Sequence, residues 1–125
     1  MKIAVVGSVK FNDYEKFKEI MDEFLKNYKD IEFVSGGAYG TDSLAQRYAK
    51  DNGIPIKIYY PNWRRYKKAA GPIRNRQIWQ DADIGIAFWN GKSRGTRYSL
   101  KFSKEMNKDL WIYNFVEDRF YKHEE

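Results

Sequence analysis

The chain has 125 residues, enough for one domain with its own core and too few for two. It has no cysteine, which excludes disulfides, thiolate metal sites and cysteine nucleophiles, and its one histidine, His123, near the C-terminus, argues against a Ser-His-Asp relay or a multi-histidine centre. Twenty-three Lys and Arg against 17 Asp and Glu leave a net charge of +6, which favours anionic partners, and no apolar run approaches the roughly 18 residues of a membrane span.

Ile3 to Val6, closed by Gly7 and Ser8, reads as a strand buried on both faces. It is too short for the apolar region of a signal peptide, so a soluble cytoplasmic protein without membrane partners is expected. Asn12, with Glu15 three residues on, is expected to cap a helix whose apolar stripe is Tyr14, Phe17, Met21, Phe24, Leu25 and Tyr28. Residues 31–35 form the second strand, and a helix over 42–51, stopped by Asn52 and Gly53, follows a glycine-rich loop. A third strand spans 56–60. From Lys57 through Gln80 the chain carries seven basic residues and no acid, more positive charge than the whole chain nets.

Pro72 suits the first turn of a short helix ending near Trp79, since the missing N–H would be unpaired there anyway. Strand four covers 84–89, a last helix 96–107, and strand five 110–115. Residues 1–116 are thus one domain, and 117–125 a loose charged tail. Alternating strands and helices predict an α/β, Rossmann-like fold: a five-stranded parallel sheet in the order 3-2-1-4-5 with helices on both faces. Ligands of such sheets bind beyond the strand C-termini at the switch point, here between strands one and four.

Three glycine-containing loops leave strand C-termini on that edge: Gly7-Ser8; Ser35-Gly36-Gly37-Ala38-Tyr39-Gly40-Thr41-Asp42; and Gly91-Lys92-Ser93-Arg94-Gly95-Thr96. Glycine admits close backbone approach, and each following helix start offers unpaired N–H groups and partial positive charge, so the three together form a cradle for phosphate. Neither a G-x-x-x-x-G-K-[ST] loop nor a G-x-G-x-x-G fingerprint follows strand one, which argues against a P-loop enzyme or an ordinary dinucleotide site. Arg74 and Asn75, on the helix before strand four, provide a guanidinium for phosphate and an amide for a ribose hydroxyl or a base edge. Among Trp63, Tyr66, Trp79 and Trp89, Trp89 at the mouth of the site is the choice to stack on a base.

In combination, Val5-Val6-Gly7-Ser8, the loop from Val34 to Ala45, Pro61-Asn62-Trp63, the stretch from Ala69 to Arg76, and the segment from Ala82 to Thr96 resemble the small YspA-like branch of the SLOG superfamily, over about residues 2–115. That superfamily includes the DNA-processing Smf proteins and the Lonely Guy phosphoribohydrolases, and the resemblance implies a nucleotide or nucleotide-derived ligand. The loop from Ser35 to Asp42 resembles the Smf-type phosphate loop, and Gly95-Thr96 the Gly-Thr of the Lonely Guy motif. Lonely Guy enzymes carry a catalytic glutamate three residues after that threonine. Here the position is Ser99, which supplies no carboxylate for glycosidic cleavage.

The leading expectation is a non-hydrolytic domain that senses, carries or sequesters a phosphate-bearing nucleotide derivative, with no metal and no other cofactor. Two further readings stand beside it. One is a nucleotide N-glycosidase with Asp42 as its acid or base, although Asp42 also suits a helix start. The other is single-stranded nucleic-acid binding through residues 57–80, whose basic charge interleaves with aromatic rings. With any of these, the aromatic segment 59–66 is compatible with a homo-oligomer interface.

Overall fold

In the computed structural model, which describes residues 1–124, one six-stranded sheet runs in the order β3-β2-β1-β4-β5-β6. Its strands are β1 (Lys2–Gly7), β2 (Glu32–Gly36), β3 (Ile56–Tyr59), β4 (Ile84–Trp89), β5 (Leu110–Asn114) and β6 (Arg119–Lys122). The first five are parallel, and β6 pairs antiparallel with β5. Helices α1 (Tyr14–Leu25), α2 (Thr41–Asn52), α4 (Ala70–Asp81) and α5 (Arg94–Glu105) cross between parallel strands, and a short α3 (Trp63–Tyr66) leads through a 3₁₀ turn, Lys67–Ala69, into α4.

The pleat sends alternate side chains of each buried strand to opposite faces. Ile3, Val5, Phe33, Ile86 and Phe88 join Phe17, Met21, Phe24 and Tyr48 of α1 and α2 in one core. Ala4, Val6, Val34, Ala87 and Ile112 join Ile78, Trp79 and Phe102 of α4 and α5 in the other. Each large side chain so buried contributes about 1.5–3 kcal/mol relative to exposure. Gly85 has a specific packing role: the outer edge of the Trp79 ring occupies the place where a Cβ at residue 85 would stand.

Three boundaries differ from the sequence reading. Asp13, not Asn12, caps α1, its side chain accepting from the Lys16 N–H at 3.1 Å. Helix α4 begins at Ala70, so Pro72 stands two residues further into its first turn, still where an N–H has no helical acceptor. The larger correction is the sixth strand. Most of the expected loose tail folds back: Asn114 Oδ1 accepts from the Val116 and Glu117 N–H groups, Asp118 takes a positive φ of 53°, and the Tyr113 hydroxyl donates to Asp118 at 2.6 Å. Phe120 then packs on Trp111 and Phe24. Two adjacent aromatic residues between basic ones in Arg119-Phe120-Tyr121-Lys122 suit an edge strand, a signal that net charge obscures. Glu125, the last residue of that tail, lies outside the described residues. Among the described residues no helix is long and apolar enough to cross a membrane.

Candidate functional site

Strands β1 and β4 are hydrogen-bonded neighbours whose chains leave toward opposite faces of the sheet, β1 into α1 and β4 into α5. A cleft opens between them at the C-terminal edge. Its inner part, about 110 Å³, has Val6 and Ile78 as apolar lining and brings together Asp42, Arg74, Asn75 and Ser99. Its outer part, about 450 Å³, lies between Ser8 and Lys10 on one side and Asn90, Lys92 and Ser93 on the other. Gly7, Val9, Gly95 and Thr96 line both parts, so the two are one continuous groove.

Backbone dominates the outer part. The Ser8 N–H donates to the Phe88 carbonyl at 2.8 Å, and a Cβ on Gly7 would collide with that carbonyl, so β1 reaches the cleft as bare main chain. Opposite it stands the start of α5. Asn90 Oδ1 accepts from the Lys92 and Ser93 N–H groups at 2.8 and 2.9 Å and holds the preceding loop. Ser93, the N-cap, makes no side-chain cap, so the first-turn N–H groups through Thr96 are left to an incoming acceptor. Lys10 and Lys92 flank this position, and both are exposed.

The second glycine loop behaves differently. Asp42 is 6% exposed and turns its carboxylate back toward its own loop, accepting from the Ala38 N–H and the Ser35 hydroxyl, each at 3.2 Å. Burial pushes its pKa above the ordinary carboxylate value, while the Ala38 N–H, the Arg74 charge and the Ser35 hydroxyl pull the other way. Arg74 lies across the end of β2, with Nε donating to Asn75 Oδ1 at 2.9 Å. Burial lowers its pKa and the Asp42 charge opposes that, yet a guanidinium keeps its proton at any ordinary pH. Gly36 makes this possible, because a Cβ there would run into the guanidinium and stand 2.9 Å from Asp42 Oδ2.

Nine residues singled out from the sequence line the cleft: Gly7, Ser8, Ala38, Asp42, Arg74, Asn75, Ser93, Gly95 and Thr96. The others build its frame. Ser35 donates to the Val5 carbonyl at 2.6 Å, and Thr41 ties the second loop to the first through Ser8 O, at 2.9 Å from its hydroxyl and 3.1 Å from its N–H. Gly40, at φ 70°, lies against the Ser8 and Val9 carbonyls, and Gly91, at φ 86°, turns the loop after β4. Gly37 carries the Tyr60 ring on its backbone and does not reach the cleft. Trp89 is not part of the lining either: it is partly buried against the core under α5, and its indole N–H donates to Ser93 O at 3.2 Å, bracing the loop. Trp79 is fully buried. Asp81 and Asp83 sit at the opposite edge, where Lys2 donates to both.

Sequence reasoning passed over Val9, Lys10, Asn90 and Lys92 as lining residues, and saw Ser99 only as a missing glutamate. Their common signal is position, one to three residues beyond a strand end at the switch point or one turn into the helix that follows it.

A family model described as the YspA, cpYpsA-related SLOG family matches residues 1–66, which carry the first two glycine loops and end at α3. The chain is also similar to the Gene 61 protein of Mycobacterium phage D29, with 28% identity over 107 residues, covering 80% of this chain and 86% of that protein. No solved structure matches it. The matched model spans more than half of the chain, including the first two glycine loops, and the protein belongs to the YspA, cpYpsA-related SLOG family.

Proposed function

We propose that the cleft binds a small phosphate-bearing nucleotide derivative, its phosphate against the start of α5 and its sugar in the inner pocket. One observation carries this reading: the uncapped first turn of α5 faces the bare backbone of Gly7 across a groove flanked by Lys10 and Lys92. Backbone N–H groups and a helix start favour an anion, and two lysines add charge without fixing its orientation. The groove continues into a pocket lined by Asn75, whose amide suits the hydroxyls of a ribose.

The reading is of binding without turnover. Both oxygens of Asp42 already have protein donors, and among the described residues no other carboxylate lines the groove. Asp42 therefore serves to hold the loop and to balance Arg74, which leaves hydrolysis without its acid. Thermal unfolding against nucleoside mono-, di- and triphosphates tests the reading. A ligand at about 100 times its dissociation constant adds about 2.7 kcal/mol, a shift of about 10 °C for a domain of this size. Stabilisation by one or more of these nucleotides is the expected result; a flat response across the set rejects it.

A further inference from the structure

Six large apolar side chains are exposed among the described residues, and five of them share one edge of the sheet. Val9, Tyr39, Tyr60, Trp63 and Val116 stand on the connections that follow β1, β2, β3 and β5, whereas Met1 alone is at the other edge. Three are aromatic, with Tyr39 84%, Tyr60 68% and Trp63 58% exposed. They adjoin the cleft through a chain of contacts. The Val9 carbonyl, at the cleft wall, presses on Gly40, next to Tyr39; three residues earlier Gly37 carries the Tyr60 ring; and the Trp63 ring lies over Gly71, 3.7 Å from the position of a Cβ.

Charge follows the same track. Arg64, Arg65, Lys67 and Lys68 are all exposed, and Arg65 sits 5.1 Å from the Tyr66 ring centroid. Among the described residues none of the four has a carboxylate within ion-pair distance, and no acid occurs between Asp51 and Asp81 in sequence. An apolar protein partner would leave four lysines and arginines facing it uncompensated. A membrane surface would take one contiguous apolar patch, whereas these rings stand on the separate connections after β2 and β3. Rings alternating with unpaired cations fit a chain whose bases stack and whose phosphates repeat.

We propose that this edge is a platform for single-stranded nucleic acid, running from the mouth of the cleft over Tyr39, Tyr60 and Trp63 with the α3 cations along its phosphates. The proposal goes beyond binding of a small nucleotide and does not depend on it. Fluorescence anisotropy with a labelled oligothymidylate of about 15 nucleotides, long enough to span such a surface, tests it. The wild-type protein is expected to bind the single strand and not a duplex of the same length. Engaging about three phosphates implies a loss of roughly 20-fold in affinity between about 50 and 200 mM salt. The double variant Tyr39→Ala/Trp63→Ala, which removes only exposed rings, should lose about tenfold or more, and Arg64→Glu/Lys68→Glu should lose binding and flatten the salt dependence. Mononucleotide stabilisation should be unchanged in both variants. No oligonucleotide binding at low salt, equal binding of duplex, or full affinity in the aromatic variant overturns the proposal. So does a dimer in sedimentation that the aromatic variant dissociates, since a second copy would then occupy the platform. Failure of the cleft reading has a different signature, oligonucleotide binding with no mononucleotide stabilisation.

Discussion

The two edges of the sheet use their charges in opposite ways. At the N-terminal edge Lys2 pairs with Asp81 at 2.8 Å, Asp83 accepts from the Lys2 N–H at 2.8 Å, Lys108 donates to the Trp79 and Gln80 carbonyls, and Lys122 meets Asp109 at 3.4 Å. At the C-terminal edge Lys10, Arg64, Lys67, Lys68, Lys92 and Arg94 have no carboxylate within ion-pair distance among the described residues. Asp42, a buried carboxylate at that edge, closes its own loop. One edge spends its polar groups on holding strands and helices together; the other pairs Lys16 with Asp118 and Arg119 with Glu117 beyond β5 but keeps uncancelled positive charge around the ends of β1, β3 and β4. Charge left unpaired on one end of a domain is a field for an anion, not a device for stability.

The sharpest way to break this comparison is Gly95→Asp. Residue 95 has open space around its Cβ position and needs no positive φ, so the fold tolerates a side chain there. An acid in the first turn favours the helix by about 0.3–1 kcal/mol, yet it occupies the anion position, and nucleotide affinity should fall about 100-fold. Equilibrium dialysis together with thermal unfolding checks both halves, a lost ligand and an equal or higher Tm.

At the other edge Asp81→Ala should do the reverse. It removes partners of Lys2 and of the Tyr59 hydroxyl, costing about 1–2 kcal/mol in urea unfolding at pH 7, with ligand affinity unchanged.

The acids also differ in their response to pH. The Lys2 hydrogen bond holds the Asp81 pKa below the ordinary value, so its contribution is present above the unfolded pKa and disappears as pH falls through the folded one. Burial raises the Asp42 pKa, so its contribution is full below the unfolded value and lost as pH rises through the folded one. Relative to wild type, Asp81→Ala should therefore recover stability in acid, and Asp42→Asn should lose ground in acid and gain it toward neutrality. Urea unfolding at several pH values between about 3 and 7 reads both slopes. Matching slopes for the two variants would mean that Asp42 behaves as an ordinary paired carboxylate.

The smallest expected effect is that of Lys92→Gln. An exposed lysine beside a bound phosphate contributes about 0.2–1 kcal/mol, so affinity should drop about two- to fivefold at low salt and converge with wild type at high salt.

How far the residues foretell this arrangement depends on how local the cause is. Strand order 3-2-1-4-5 follows from alternating patterns and crossover handedness, and the clustering of glycine loops follows from that order. Strand β6 does not, because its signal is two aromatic residues between charges and its turn depends on Asn114, a residue inside the preceding strand. Along the cleft lining, Gly7, Asp42, Arg74 and Thr96 are legible by motif because each is a backbone or charge requirement at a strand or helix end. Gly37 and Trp89 lie outside the cleft lining for a shared reason. Sequence places both at the correct edge, but which way each faces is set by Tyr60 and by the Ser93 carbonyl, partners distant from the reasoning that chose them.

The most direct test of the central claim is a titration of the amide spectrum of the ¹⁵N-labelled protein with nucleoside 5′-monophosphates. Shifts concentrated on Gly7, Ser8, Gly95 and Thr96, with Lys108 and Asp109 at the far edge unmoved, are what the contrast between the two edges predicts. Shifts spread over both edges, or confined to residues 103–109, would contradict it.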